Sequence, residues 1–281
     1  MFVIDSRLTN EEKADAERDS MVFKADAMIQ KAQFSLTVSE QRFLLYAISK
    51  IKPDDDYNTR YYVKIKDFQR VCGTDSNDSY HYVMETVDKI SKKLWWLEDE
   101  SAPVNRFGRR KRTQYGWITS IHLDSDPGMV DFKFHEDIFP YLFRLSERMR
   151  ENGGFYTGYT LRYILPMKSA YSIRMYELFK SYHKNNESWW FKIDTIRKLL
   201  DCENYERFPD FRRFVLEPAV REINQYTDIK VEYSLIKDGR KVVAVDFTLL
   251  DKAFPEILQA HHDGLTEIEG NVHYWDVNKN K

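Results

Sequence analysis

The chain has 281 residues, 42% of them hydrophobic, and a formal net charge of −2. That length favours two domains of ordinary size, and the near-neutral charge gives no global sign of a nucleic-acid partner. No run of about 18 uncharged apolar residues is present, so we expect no membrane span, and a charged start without the apolar core of a secretory signal predicts a cytoplasmic protein.

The sequence runs twice through one order of predicted elements: a helix, a short aromatic strand, a short helix, a longer helix and a hairpin. The first copy covers residues 37–134 and the second covers residues 169–249. A period of roughly a hundred residues is too long for a solenoid, whose units are about 20 to 50 residues. The repeat therefore predicts two related domains.

We place the first domain at residues 25–150 and the second at residues 151–251. The segments outside them, residues 1–24 and 252–281, each carry a net charge of −2. Such a composition buries too little apolar surface to offset the entropy lost on ordering. We therefore expect both terminal segments to be mobile.

In the first repeat, Thr37 and Glu40 form a T-x-x-E capping box, which predicts a helix start. Four of the five residues 61–65 are aromatic or β-branched and favour a strand. A short helix should then end at Gly73, which can adopt the left-handed conformation of a helix C-cap. Apolar residues at helical spacing predict a longer third helix over residues 80–94.

A strand over residues 94–97 follows the third helix of the first repeat. We expect it to pair with strands over residues 115–123 and 129–134, which are joined by a turn at Asp126-Pro127-Gly128.

The second repeat has a third helix over residues 211–226 and a hairpin with alternating apolar and polar residues. The dipeptide Asp238-Gly239 favours a tight turn at the hairpin tip. The spacing of the helix predicts a buried stripe of apolar residues at Phe211, Phe214, Val215, Ala219, Ile223 and Tyr226.

Three helices with a short second one, a strand between the first and second, and a hairpin after the third are typical of the winged helix. This fold is a variant of the helix-turn-helix, in which the third helix enters the major groove of DNA. We therefore predict an α+β protein with two tandem winged-helix domains related by internal duplication.

In the second repeat, the candidates for DNA contact lie on the third helix and at the hairpin tip. An arginine there can bond both acceptors on a guanine edge, although on a solvated surface it forms only weak ion pairs with neighbouring acids. The candidates are Arg207, Arg212, Arg213, Arg221 and Asn224 at the helix, and Lys237, Arg240 and Lys241 at the tip.

The first repeat has a less basic third helix, and its candidates are Asn77, Ser79, His81 and Lys89, of which His81 also fits an ordinary surface histidine. A nearby loop contains five bases in the seven residues 106–112. We expect this loop to be the wing of the first domain and to contact phosphate without reading sequence. Its candidates are Arg106, Arg109, Arg110, Lys111 and Arg112.

Several stretches resemble the replication initiator (Rep) proteins of iteron-containing theta plasmids. They are Leu36-Thr37-Val38-Ser39-Glu40-Gln41-Arg42, the segment from Lys168 to Leu178, and Pro209-Asp210-Phe211-Arg212-Arg213 together with Ile223-Asn224. The resemblance implies that the helix beginning at Pro209 is the main base-reading element, with Arg207, Arg212 and Arg213 as its reading arginines.

The resemblance also implies partners. Members of that family bind double-stranded DNA, as monomers at repeated sequences (iterons) of the plasmid origin and as dimers at the operator of their own gene. It implies dimerisation through the first domain, opening of adjacent DNA, and recruitment of the host initiator and replicative helicase.

Other classes of function make different predictions. A transcriptional repressor without initiator activity remains the alternative, since tandem winged helices do not determine the outcome of DNA binding. A rolling-circle nickase is disfavoured because no two histidines have His-x-His spacing, and no glycine precedes lysine as a Walker A loop requires. We therefore expect no enzymatic activity, no cofactor and no metal site, and we expect Cys72 and Cys202 to be core residues.

Overall fold

The structure is a computed structural model that describes residues 8–74, 79–99, 102–108, 110–126, 128–184 and 187–277. Before the first repeat it contains a helix, a strand and a short helix. These elements are α1 (Asn10–Arg18), β1 (Met21–Ala25) and α2 (Asp26–Lys31).

The first winged helix contains the predicted elements in the predicted order. The Thr37–Glu40 capping box is present, and Gly73 has the left-handed conformation at φ +66°. The elements are α3 (Val38–Ile48), β2 (Tyr61–Lys64), α4 (Ile65–Cys72), α5 (Ser79–Lys92), β3 (Leu94–Glu98), β4 (Arg112–Gly116), β5 (Ile118–Asp126) and β6 (Met129–Phe134).

A connecting region leads into the second winged helix. It comprises α6 (Phe139–Leu142), α7 (Leu145–Asn152) and β7 (Tyr156–Thr160). The second winged helix comprises α8 (Ala170–His183), β8 (Ser188–Lys192), α9 (Ile193–Leu199), α10 (Phe208–Phe211), α11 (Glu217–Tyr226), β9 (Ile229–Asp238) and β10 (Lys241–Asp251), and a further helix, α12 (Phe254–Val277), comes after it.

The two winged helices have the same sheet topology. In the first the strand order is β2-β6-β5 and in the second it is β8-β10-β9, both antiparallel. In each sheet the strand after the first helix pairs with the last strand of the hairpin. The prediction of two tandem winged-helix domains is confirmed.

The pairing of β3 differs from the prediction. β3 pairs with β4, with Leu94 opposite Gly116 and Glu98 opposite Arg112, and these two strands form a sheet of their own. The basic loop 106–112 therefore lies in an extra hairpin, and the wing of the first domain is the β5–β6 hairpin. The prediction failed because β4 and β5 resemble one alternating strand, whereas the structure divides them at the buried Trp117.

The N-terminal segment was expected to be mobile, but residues 8–24 are packed. The buried Arg18 donates from Nε to the carbonyl oxygen of Val71 at 3.0 Å. Strand β1 pairs antiparallel with β7, which lies in the segment assigned to the second domain. The domain boundaries themselves remain predictions.

The C-terminal segment was also expected to be mobile, but it packs over residues 260–268. Ala260, Gly264 and Ile268 form a buried stripe along α12. Ile268 is 1% exposed, and its carbonyl oxygen would lie 2.3 Å from a Cβ added at Gly73. Three buried residues at helical spacing are enough to dock the helix. They contribute little to the average composition of the segment, and the prediction of mobility was based on that composition.

The link between the two domains is held from both sides. Arg42 of α3 donates to the carbonyl oxygen of Met167 at 3.0 Å. The Glu222 carboxylate of α11 accepts the backbone N–H groups of Lys168 and Ser169 at 3.2 and 3.3 Å. The third helix of the second domain is therefore bonded directly to the chain that enters that domain. Within the described ranges, no helix combines the length and apolar character that a membrane span needs.

Candidate nucleic-acid interface

The third helix of the second domain, which we call the recognition helix, runs without interruption over residues 208–226. It contains α10, a π-helical turn (Arg212–Leu216) and α11. Arg207 is the N-cap residue, and Pro209 lies in the first turn, where a missing N–H group costs no hydrogen bond. The helix starts one residue before Pro209, close to the start that the resemblance implied and three residues before the start predicted from periodicity.

The π-helical turn has a cause in the sequence. Pro218 has no N–H group to donate to the carbonyl oxygen of Phe214, four residues earlier, and its ring crowds that oxygen. The helix accommodates Pro218 by widening the preceding turn. As a result Leu216 is buried, whereas Phe214 is 48% exposed. The prediction that Phe214 belongs to the buried stripe is wrong, because an ordinary helical period does not hold through a widened turn.

The outer face of the recognition helix presents arginines. The buried residues Phe211, Val215, Ala219 and Ile223 repeat every four positions, and Arg213 and Arg221 lie two positions out of phase with them, which is the opposite side of a helix. Both arginines are exposed. The Arg207 side chain is 79% exposed, and its Nε lies 3.9 Å from Asp210. Arg207, Arg213 and Arg221 thus have the accessibility that contact with base edges requires.

Two other candidates on the helix face the wing. Arg212 donates from Nε to Glu217 Oε1 at 2.8 Å, and its hydrogen bonds with Tyr233 of β9 and with Glu217 raise its pKa. The amide of Asn224 donates to the carbonyl oxygen of Val231 at 2.9 Å and accepts the Val231 N–H at 2.6 Å. Both polar groups of Asn224 are used to join the helix to β9, and its contact with DNA stays a prediction.

The wing of the second domain is a long hairpin with a basic tip. Gly239 has φ +57°, as the tight turn requires. Lys237, Arg240 and Lys241 are all exposed around it, with Asp238 as the acid among them. The tip therefore carries a net charge of 3 − 1 = +2. The strands project this charge beyond the sheet, where it fits contact with phosphate.

The recognition surface of the first domain is less basic. Lys89 pairs with Glu85 at 2.8 Å, and Lys92 pairs with Asp88 at 2.6 Å, so the lysines of α5 are matched by acids on the same helix. His81 is exposed. Asn77 and the side chain of Ser79 lie outside the described residues. The turn of the β5–β6 wing reads Leu-Asp-Ser-Asp-Pro-Gly over residues 123–128 and contains no base.

The basic loop lies in the β3–β4 hairpin, which reaches the second domain through an ion pair of Glu98 with Lys198 of α9 at 2.8 Å. Arg110 of this loop donates a hydrogen bond within the first domain to the carbonyl oxygen of Ala102 at 3.0 Å, and Arg112 donates one to Gln33 Oε1 at 2.8 Å. Arg106, Lys111 and Arg112 are exposed, Arg110 is half-buried, and Arg109 lies outside the described residues. The loop thus provides positive charge beside the second domain, from a place that the first wing does not occupy.

Sequence reasoning missed two aromatic residues of this surface. Phe214 was predicted to lie in the core, and Tyr205, in the turn before the recognition helix, was given no role. Their rings stack at a centroid distance of 5.8 Å and an angle of 28°. The signal was present in the sequence, since Pro218 inside a predicted helix indicates a change of helical period before it.

Two family models match the chain. The model described as initiator replication protein, WH1, matches residues 21–180. The model described as initiator Rep protein, WH2, matches residues 192–249. The second match ends before α12, which therefore lies outside both.

The chain is also similar to individual proteins. A replication initiation protein of Escherichia coli is 23% identical over 263 residues, which cover 89% of this chain and 74% of that protein. An uncharacterized 27.6 kDa protein of Escherichia coli is 22% identical over 241 residues, which cover 80% of this chain and 92% of that protein.

Among solved structures, the crystal structure of Pi initiator protein in complex with iteron DNA has a TM-score of 0.64 at 18% identity, covering 84% of this chain and 99% of that one. At this identity the likeness shows a shared fold. The WH1 and WH2 models match the two winged helices in order, and the first alone matches more than half of the chain, so the protein belongs to the initiator replication protein family with two winged-helix domains.

Proposed function

We propose that this protein initiates plasmid replication by binding repeated sequences of duplex DNA at the origin through both winged helices, and that the second domain is the main base reader. The observation that carries the proposal is the combination of exposed arginines on the outer face of the recognition helix with a basic wing tip on the same domain. Family membership supports it, as does the fold shared with a protein crystallised on iteron DNA.

In the proposed complex the two domains occupy successive major grooves on one face of the duplex, about one helical turn apart. Arg207, Arg213 and Arg221 are the candidates for reading bases. Lys237, Arg240 and Lys241 contact phosphates, which positions the protein without reading sequence. The first domain contributes α5 and the basic loop 106–112, and its matched charges on α5 make it the weaker reader.

The proposal extends to steps after binding. The protein acts in the cytoplasm without enzymatic chemistry of its own. Binding opens the adjacent DNA and recruits the host initiator and the replicative helicase. A dimer formed through the first domain represses the protein's own gene at the operator. These steps are supported by family resemblance alone.

The test is a footprint of the purified protein over the DNA that flanks its own gene, with binding titrations at two salt concentrations. We expect protection of several direct repeats. Arg213→Ala should cost about 1–3 kcal/mol of specific binding, whereas Lys241→Ala should weaken binding to all sequences alike and lower the salt slope by about 1.

Arg150→Ala is the matched control, since Arg150 is exposed on α7 and distant in sequence from the recognition helix. It should bind as the wild type does. Protection of a single inverted repeat, or a loss of sequence preference in Lys241→Ala with none in Arg213→Ala, would contradict the proposal.

A further inference from the structure

The widened turn of the recognition helix brings a large apolar side chain to the surface beside a reading arginine. Phe214 comes directly after Arg213 and is 48% exposed, whereas the preceding aromatic residue of the helix, Phe211, is fully buried. An exposed phenylalanine loses the free energy of apolar burial. What distinguishes Phe214 from other exposed apolar residues is its place beside Arg213 on the proposed DNA-facing side of the helix.

The ring of Phe214 is held in place before any DNA arrives. It stacks on Tyr205 at 5.8 Å and 28°, and Tyr205 in turn meets Tyr171 of α8 edge-on at 6.3 Å and 81°. The Arg213 guanidinium lies 5.2 Å from the centre of the Phe214 ring, within the range of a cation–π contact. One stacked aromatic ring, itself held by Tyr171, and one cation thus fix the Phe214 ring, so little rotamer freedom remains to be lost on binding.

The ring also lies on a defined side of the helix. Arg212 faces the wing through its hydrogen bond with Tyr233, and Phe214 lies on the other flank, where it meets the turn before α10. Arg213 is between them on the outer face. A duplex that contacts Arg213 in its major groove therefore brings base edges next to Phe214 on the flank away from the wing.

We propose that Phe214 is a specificity-determining residue that contacts the C5-methyl group of a thymine adjacent to the base read by Arg213. The thymine methyl is the apolar group that the major groove presents, and phenylalanine is one of the side chains that contact it. Arg213 and Phe214 together then read a polar edge and a methyl group at neighbouring positions. The inference rests on the proposed function, since it assumes that this helix enters the groove.

The test removes the methyl group without altering base pairing. Duplexes that the wild-type protein selects from a random library are resynthesised with deoxyuridine in place of each thymidine in turn, and binding of each is measured. At one thymine, or at two adjacent ones, deoxyuridine should weaken wild-type binding about fourfold, the effect expected for one buried carbon group. At the same position Phe214→Ala should bind thymidine and deoxyuridine DNA equally.

Three further variants separate DNA contact from a role inside the protein. Phe214→Leu keeps an apolar side chain and should retain part of the methyl effect. Trp190→Ala removes another exposed aromatic side chain of the second domain, on β8, and should retain all of it. Tyr205→Ala removes the stacking partner and should reduce the methyl effect while Arg213-dependent guanine preference persists.

Several outcomes would overturn the inference. Equal weakening of the wild type and Phe214→Ala by every deoxyuridine would assign the methyl contacts to other residues. Wild-type behaviour of Phe214→Ala would leave the exposed ring without a function in binding. If the wild type selects no sequence from the library, the proposed function itself fails, and this result is distinct from selection without a methyl effect.

Discussion

Glu177 of α8 is the centre of a buried charge network that joins the second domain to the N-terminal segment at Lys24. Its Oε1 lies 2.8 Å from Lys24 Nζ, with both side chains 2% exposed, and its Oε2 lies 3.1 Å from Arg174 Nη1. It also accepts a hydrogen bond from the hydroxyl of Tyr159. One carboxylate therefore faces two buried cations, so the network carries a net positive charge.

This imbalance makes the two obvious substitutions unequal. Glu177→Gln leaves Lys24 and Arg174 buried without a counter-ion, and loss of one member of a buried pair costs about 3–5 kcal/mol of the free energy of unfolding. Lys24→Met instead leaves Glu177 and Arg174 as a balanced pair and replaces a desolvated cation by an apolar chain of similar length. We expect that variant to lose only about 0–2 kcal/mol.

The assay is urea unfolding monitored by circular dichroism, with Glu203→Gln, an exposed position, as the control for charge removal. Burial acts to raise the pKa of Glu177, but Lys24 and Arg174 outweigh it and hold the pKa below 4.5. The folded-state pKa is thus depressed, so the stabilisation is present above the unfolded-state pKa and is lost as pH falls through the folded pKa.

The difference in unfolding free energy between wild type and Glu177→Gln should therefore shrink as pH falls below 4.5. The reasoning is refuted if Lys24→Met costs as much as Glu177→Gln. It is equally refuted if the difference between wild type and Glu177→Gln stays constant into acid.

Three other substitutions or reactions test the structure. Gly73→Ala should lower the urea midpoint of unfolding more than Gly239→Ala does. Both glycines have positive φ, a conformation that costs other residues about 1–2 kcal/mol of stability. The two sites differ in space, because a Cβ added at Gly73 would lie 2.3 Å from Ile268 and one added at Gly239 would meet no atom within 4 Å. Asn224→Ala should lose about 1–3 kcal/mol of stability and select the same DNA sequence as the wild type. Arg221→Ala should keep its stability and select a different sequence. An altered selected sequence for Asn224→Ala would instead show that Asn224 contacts bases. Burial raises the pKa of Cys72 to about 11 and that of Cys202 to about 12. Iodoacetamide near pH 8 should therefore label both thiols in urea and neither in the native protein, as measured by mass spectrometry. Rapid labelling of a thiol in the native protein would show that its site opens.

Features that depend on a few neighbouring residues could be predicted from the sequence. The capping box at Thr37, the left-handed cap at Gly73 and the tight turn at Gly239 each need only local backbone geometry, and all three are present. The order of helices and strands could be predicted from hydrophobic periodicity, and the repetition of that order predicted the tandem winged helices. The DNA-binding interpretation came from where this fold places its arginines.

Features that depend on partners distant in the chain were decided by the tertiary structure. The basic loop is not the wing of the first domain because β3 pairs with β4. No local sequence pattern distinguishes this pairing from the predicted pairing of β3 with the β5–β6 hairpin. In the sequence Asn224 has the pattern of an exposed polar residue, and only the structure shows that its side chain bonds the backbone of β9. The terminal helices were predicted to be mobile from their average composition, because only a few of their residues are buried when they dock. The tertiary structure alone shows the surfaces against which those few residues pack.

The exposure of Phe214 lies between these cases. Pro218 indicates a disturbed helix from the sequence alone, but a proline can be accommodated by a kink, a break or a widened turn. The packing of Leu216 into the core and of Phe214 against Tyr205 shows that here the turn widens. The sequence by itself determined where the helical period changes, at the turn before Pro218. The surrounding side chains decided which residue lies at the surface. A kink, a break and a widened turn are each allowed locally, and only the burial of side chains in the core distinguishes them.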